Sequence, residues 1–230
     1  LEGFTLLHLS DLHLRDTDVR DGGPLVEAVQ AQHTDALVIT GDLLLGSPTH
    51  RSREARTLAP IERLLKAVDA PAFAVLGDED HLWMVPHLEA MGVRLLVNES
   101  ALLTHRGARL YLAGVDDSAY YKADDVDAAL QSIPTGSLSV LLSHSPEIYQ
   151  RAAAAGFDVM LSGHTHGGQL CLPNGQPLFR AGNAPRAFAR GRWSFEGLLG
   201  YTSSGCGATP LGMRWNCPAE VAFHRLTGGA

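Results

Sequence analysis

Positive charge, cysteine and long apolar runs are all scarce in this sequence of 230 residues. Eighteen Lys and Arg stand against twenty-five Asp and Glu, a formal net charge of −7. That leaves no broad basic surface for gripping a polyanion and argues against nucleic acid as a partner. The three cysteines, Cys171, Cys206 and Cys217, form no Cys-x-x-Cys pair and cannot all be bridged within one chain, so they read as inert thiols. No apolar run approaches the roughly 18 residues of a spanning helix, and residues 1–20 lack the basic start and apolar middle of a signal peptide.

What is present is core material. Hydrophobic residues make up 45% and charged ones 19%, enough for a sizeable core at this length and too apolar for disorder. Short runs with the β-branched content of buried strands occur at Phe4–Ser10, Ala36–Thr40, Ala72–Leu76, Ala108–Gly114, Ser137–Ser143 and Asp158–Ser162. Helix-like stretches with apolar positions three and four apart lie between them, at Pro24–His33, Arg53–Asp69, His81–Met91, Ala123–Ser132 and Pro146–Ala155. The alternation predicts an α/β sheet protein. Beyond Gly163 the texture turns to Gly, Pro, Arg and aromatic residues with strand-like runs at Gly197–Ser203 and Glu220–Leu226. No polar linker or internal repeat divides the chain, so residues 1–230 are expected to form one domain.

The chemistry sits where the strands end. The first run is followed by Asp11 and His13, the second by Gly41-Asp42, the third by Gly77-Asp78-Glu79-Asp80-His81, the fifth by His144, and the sixth by Gly163-His164-Thr165-His166-Gly167-Gly168. Loops leaving the carboxyl ends of sheet strands converge on one rim, where ligands bind. Asp11, His13, Asp42, Asp78, His144, His164 and His166 are all carboxylates and imidazoles, a donor set for Mn, Fe, Zn, Co or Ni. Seven donors exceed what one catalytic zinc uses. They suit two metals about 3.5–4 Å apart sharing one carboxylate. For the Asp11-x-His13 and His164-x-His166 pairs, an extended backbone is expected to bring both side chains to one face.

In order and context these blocks resemble the calcineurin-like metallophosphoesterase superfamily, with its Asp-x-His, Gly-Asp, Gly-Asn-His-Asp, strand-terminal His and Gly-His-x-His. Gln169 and the tail around Arg214, Trp215, Cys217, Pro218 and Glu220 further resemble a branch of exported or membrane-attached phosphodiesterases, with Asn216 and Ala219 departing. The resemblance implies a four-layer α/β/β/α sandwich and a centre of two divalent cations, Mn foremost. Asp11, His13, Asp42 and His166 would hold one; Asp42, Asp78, His144 and His164 the other. Asp42 would bridge them, and a bridging hydroxide would attack phosphorus. It also implies an exported or membrane-associated protein, and since the sequence starts at Leu1 without Met, an N-terminal segment is expected to be absent from this chain.

The third block departs from the pattern. The family's Asn ligand is Asp78 and its His is Glu79. With Asp78, the charges of two divalent cations, three carboxylates and a hydroxide cancel, where Asn would leave one positive charge. A phosphate dianion is then attracted less. Glu79, its pKa raised by neighbouring carboxylates, and His81 are the candidates to protonate the leaving oxygen. Some members of the resembled family that act on pyrophosphates and diesters also lack this His, so the resemblance implies that its loss weakens a monoesterase reading more than a diesterase one. The resulting expectation is a two-metal phosphodiesterase or pyrophosphatase acting on a nucleotide- or lipid-linked phosphate ester. The alternatives are a phosphomonoesterase, including a protein phosphatase, and a non-catalytic metal-bound domain that binds phosphate or lipid.

Arg15, just past His13, is the expected phosphate grip. Arg180, Arg186, Arg190 and Arg192 interleave with Phe179, Phe188, Trp193 and Phe195, a mix suited to a lipid headgroup or membrane surface. Asp116, Asp117, Tyr120 and Tyr121 are further candidates for the pocket.

Overall fold

The computed structural model describes residues 2–15, 18–20, 23–45, 58–179, 181–209 and 212–227. The expected strands form: β1 (Thr5–Leu9), β2 (Ala36–Thr40), β3 (Ala72–Val75), β6 (Ala108–Gly114), β7 (Ser139–Leu142), β8 (Val159–Ser162), β10 (Leu198–Thr202) and β11 (Ala222–Arg225). Three further strands were not expected: β4 (Val93–Leu95), β5 (Glu99–His105) and β9 (Gly191–Phe195). β4 is three residues long, and β5 and β9 are edge strands whose side chains are exposed or half-buried except for Ala101 and Trp193, so none is a buried run.

The strands build two sheets, ordered β11-β1-β2-β3-β4 and β5-β6-β7-β8-β10-β9. Interior neighbours are parallel, while β11, β5 and β9 pair antiparallel at the edges. The period of two sorts the side chains. Leu6, Val38 and Val75 from the first sheet meet Leu112, Val140, Leu142 and Leu161 from the second in a core between the sheets. Leu7, Leu9, Leu37 and Ile39 face the other way, onto helices α1 (Pro24–Val29), α2 (Ala59–Lys66) and α3 (Val85–Ala90). Ala113, Leu141 and Met160 do the same on the far side, under α4 (Val126–Leu130) and α5 (Tyr149–Ala154). The layers are thus α/β/β/α, as expected. Because each sheet is covered on both faces, its central strands read as continuous apolar runs.

The helices are shorter than their apolar periodicity suggests. In α4 the Asp125 carboxylate accepts a hydrogen bond from Ala128 N at 2.9 Å, and this cap starts the helix three residues later than expected. The first part of the Arg53–Asp69 stretch lies outside the described residues.

Candidate metal centre

The carboxyl ends of β1, β2, β3, β7 and β8 hold one cluster. Its first two loops run side by side: Asp11 N donates to Gly41 O and His13 N to Asp42 O, both at 3.0 Å. The third loop is tied to the second through Asp80, whose carboxylate accepts from the backbone N–H groups of Asp42 (2.8 Å), Leu43 (3.0 Å) and Gly77 (2.9 Å). The fifth is tied to the first by His164 N donating to Asp11 Oδ2 at 3.0 Å.

These contacts need an unusual backbone. Asp11, His13, Asp42, His164 and His166 all have positive φ, between 41° and 66°. The i, i+2 pairs therefore do not lie on the extended backbone that the sequence spacing predicts; the left-handed residues bring their side chains together instead. Left-handed residues aim the side chains inward, a conformation that costs of order 1–3 kcal/mol each and persists where surroundings enforce it. Close packing leaves room only for glycine beside them. A Cβ on Gly163 would stand 1.8 Å from Ser10 Oγ and 2.3 Å from Asp11 Oδ2, and one on Gly77 2.2 Å from Asp42 Oδ1.

All seven expected ligands converge in two groups. In the first, His13 Nε2 lies 3.1 Å from His166 Nε2, and His166 Nε2 lies 3.3 Å from Asp11 Oδ1. In the second, Asp78 Oδ1 lies 2.9 Å from His144 Nε2 and 3.0 Å from His164 Nδ1. Asp42 stands between them, its Oδ2 3.6 Å from His13 Nε2 and 3.5 Å from His144 Nε2. Glu79 N holds the other oxygen of Asp42 at 3.0 Å. His144 is fixed in orientation because its Nδ1 donates to Thr40 O at 2.7 Å, leaving Nε2 toward the cluster. Nitrogen and carboxylate lone pairs, buried except at the half-buried Asp78 and His164, face one another at these distances and fit divalent cations.

The electrostatics follow. Burial raises the Asp78 pKa, but the hydrogen bonds and charges of His144 and His164 outweigh it and hold the carboxyl well below its usual range. Asp42 is likewise lowered, burial being opposed chiefly by His144. Burial leads in pushing Asp80 up to about 7, with the Asp42 charge adding to it. Burial also brings His166 down to about 4, against the pull of Asp11 and with the help of His13 and Arg214.

The other expected residues are more dispersed. Glu79 Oε2 stands 3.4 Å from His13 Nδ1, and burial together with Asp42 and Asp78 raises its pKa against the pull of His13. His81 falls outside the convergent groups; it precedes a single helical turn and lines a cavity of about 400 Å³ with Asp80, Asp116, Asp117 and Tyr121. Arg15 lines a larger cavity of about 540 Å³, shared with His13, Leu12, Leu14, Leu25 and Val221. Phe188, Trp193 and Phe195 do not form a lipid-facing mix. Phe188 stacks on Trp193 at 4.4 Å, and Phe195 packs edge-on against Tyr149 at 4.8 Å. Arg180 lies outside the described residues.

Two residues gained roles that the sequence reading did not give them. Asp80 belongs to the third block but ties the loops together. Arg214 belongs to the tail, and its guanidinium reaches His166 Nδ1 at 3.2 Å and the carbonyl of Gly205 at 3.2 Å.

Residues 4–168 match the model of the calcineurin-like phosphoesterase family. The chain belongs to that family. It is accordingly a metal-dependent phosphoric ester hydrolase. An uncharacterized metallophosphoesterase of Aquifex aeolicus is 32% identical, with 97% of this chain and 85% of that protein covered. The phosphodiesterase YaeI of Escherichia coli is 27% identical, over 97% of this chain and 82% of that one. Among solved structures, the Thermus thermophilus sulfate thiohydrolase SoxB shares the fold with a TM-score of 0.60 at 15% identity, covering 99% of this chain and 57% of that chain. The metallophosphoesterase resemblance thus holds along nearly the whole sequence.

Proposed function

We propose that this metallophosphoesterase is a two-metal phosphodiesterase or pyrophosphatase whose substrate is a lipid- or nucleotide-linked phosphate ester. The observation that carries the reading is the placement of Asp42 Oδ2, about equally far from His13 and His144 and so shared by two donor groups. Asp11, His13, Asp42 and His166 would hold one cation and Asp42, Asp78, His144 and His164 the other, Mn being the best match and Fe, Zn, Co or Ni also suited. Bound there, the cations would supply a nucleophile at neutral pH and offset charge on the phosphoryl oxygens.

The protein's own groups do the rest. Thr40 O and Asp80 keep His144 and the Asp42 loop in register. Glu79, with its side chain 38% exposed at the edge of the cluster, is placed to hand a proton to the leaving oxygen. Arg15 offers its fork to a phosphate oxygen from the wall of the 540 Å³ cavity. That cavity's Leu12, Leu14, Leu25 and Val221 favour an apolar substituent, which supports the lipid-linked ester over the nucleotide. The carboxylate at Asp78 lowers the positive charge of the centre and disfavours a phosphate monoester dianion.

The test is a pair of chromogenic substrates, bis(p-nitrophenyl) phosphate and p-nitrophenyl phosphate, with Mn²⁺ present. Preference for the diester, lost by at least about 100-fold in Asp42→Ala, is expected. Preference for the monoester overturns the diesterase reading.

A further inference from the structure

The three cysteines are free thiols, and the fold sorts them into a pair and a single one. Directly after the His164 and His166 loop, residues 170–178 form a small hairpin, in which Leu172 N donates to Gln176 O at 2.8 Å and Leu178 N to Leu170 O at 2.9 Å. The segment around Trp215 lies alongside it, with Leu170 bridging Trp215 and Cys171 N donating to Trp215 O at 2.8 Å. Asn216 Nδ2 donates in turn to Cys171 O at 3.1 Å. These contacts lay Cys171 beside the chain that carries Cys217, although the two are far apart in sequence.

Both thiols turn inward to the same place. Cys171 Sγ donates to Gly167 O at 3.3 Å, and Cys217 Sγ, 3.3 Å from His166 O, lies 3.6 Å from that same Gly167 oxygen. Burial raises the Cys171 pKa, and the charge and hydrogen bond of the neighbouring Cys217 thiol raise it further, against the pull of Arg190. Each of the two residues is only 1% exposed. A disulfide needs two side chains that point at each other from adjacent backbone, and this pair has both. Cys206 stands elsewhere: its Sγ donates to Glu220 O at 3.0 Å and its N to Ser10 O at 2.9 Å, against the core that faces α1 to α3.

We infer that Cys171 and Cys217 are a disulfide-forming pair that, when oxidised, ties the 170–178 hairpin to the tail beneath the His166–Gly167 loop, and that Cys206 stays a free thiol. The reaction is exchange with a small-molecule disulfide such as oxidised glutathione. One protein thiolate attacks a glutathione sulfur and releases one reduced glutathione. The second protein thiolate attacks the mixed disulfide and releases another. The two protein sulfurs thereby give up two electrons and two protons, and one glutathione disulfide becomes two thiols. Since both thiols are buried in the folded chain, the bond forms as the chain folds or when the hairpin opens. It closes a loop of about 45 residues and fixes the segment from which Arg214 reaches His166 Nδ1 at 3.2 Å. None of this depends on which ester the protein cleaves.

The test refolds the intact chain from urea in a mixture of reduced and oxidised glutathione, blocks free thiols with iodoacetamide and maps an unreduced digest by mass spectrometry. A peptide joining Cys171 to Cys217, with Cys206 alkylated, is expected in most chains. The oxidised protein should melt about 8 °C above the same protein treated with dithiothreitol. Cys206→Ser should show the same rise and Cys217→Ser none; the mapping uses the parent chain and stands even where Cys217→Ser folds poorly. All three cysteines alkylated, a bridge through Cys206, a disulfide between two chains, or an oxidised form that melts no higher than the reduced one would overturn the inference.

Discussion

Asp78 Oδ1 stands 2.9 Å from His144 Nε2, a full carboxylate where the family pattern has a neutral amide. A unit charge about 5 Å from a phosphoryl group, at an effective dielectric constant of about 20, is worth about 3 kcal/mol. Even half of that is about a tenfold effect on rate. Asp78→Asn is therefore expected to raise the ratio of monoester to diester hydrolysis about tenfold while loosening the metals. An unchanged ratio in the chromogenic pair would remove charge as the basis for the diester preference.

Gly163 packs against Ser10 and Asp11 with no space for a methyl group. Gly163→Ala should push the Asp11 carboxylate out of place and lose the metal of the Asp11, His13 and His166 group, with hydrolysis falling at least about 100-fold. Elemental analysis of the purified variant checks this, and full metal content would contradict it.

Asp80 is buried and accepts three backbone hydrogen bonds from two different loops. Asp80→Ala leaves those N–H groups buried without partners, at about 1 kcal/mol or more each, so a loss of about 3 kcal/mol in urea unfolding is expected. Asp80→Asn, which keeps an acceptor, should lose less. Equal stability of Asp80→Ala and the parent would show that the loops hold without it.

Much of this architecture is legible in the sequence because both sheets are covered on each face, so strands such as Ala36–Thr40 and Ser139–Leu142 are buried throughout and apolar but for a Thr or Ser at one end. The ligand set is legible for a related reason: each member follows such a run directly. What is hidden is what depends on contacts across the chain. The positive φ of Asp11 and His166 comes from packing between loops far apart in sequence, which residue spacing does not encode. Arg214 reaches His166 across 48 positions. The packing of Phe188 on Trp193, and the exposure of Trp215, likewise cannot be told from an interleaving of aromatic and basic residues.

Between the sheets, His8 Nδ1 lies 3.2 Å from His224 Nε2, and His8 Nε2 lies 2.9 Å from Thr40 Oγ1. Burial lowers the His224 pKa to about 4, helped by Arg192, and burial with the His224 contact lowers His8 as well. Both rings are therefore neutral in the fold where the unfolded chain, with an ordinary His pKa of about 6.5, takes up protons. The unfolded state binds more protons between about pH 6.5 and 4, so stability is full above that window and falls as pH drops through it. His224 alone accounts for about 3 kcal/mol over this range. Unfolding midpoints should drop from pH 7 to 4.5, and less steeply in His224→Gln. An identical slope in the variant would assign the acid sensitivity to other groups.

The central claim is a centre of two metals bridged by Asp42, and its most direct measurement is metal per chain by elemental mass spectrometry after loading with Mn²⁺, paired with bis(p-nitrophenyl) phosphate hydrolysis. About two metals per chain, metal-dependent diester turnover, and loss of both in Asp42→Ala are expected. One metal or fewer per chain after loading, without turnover, would contradict it.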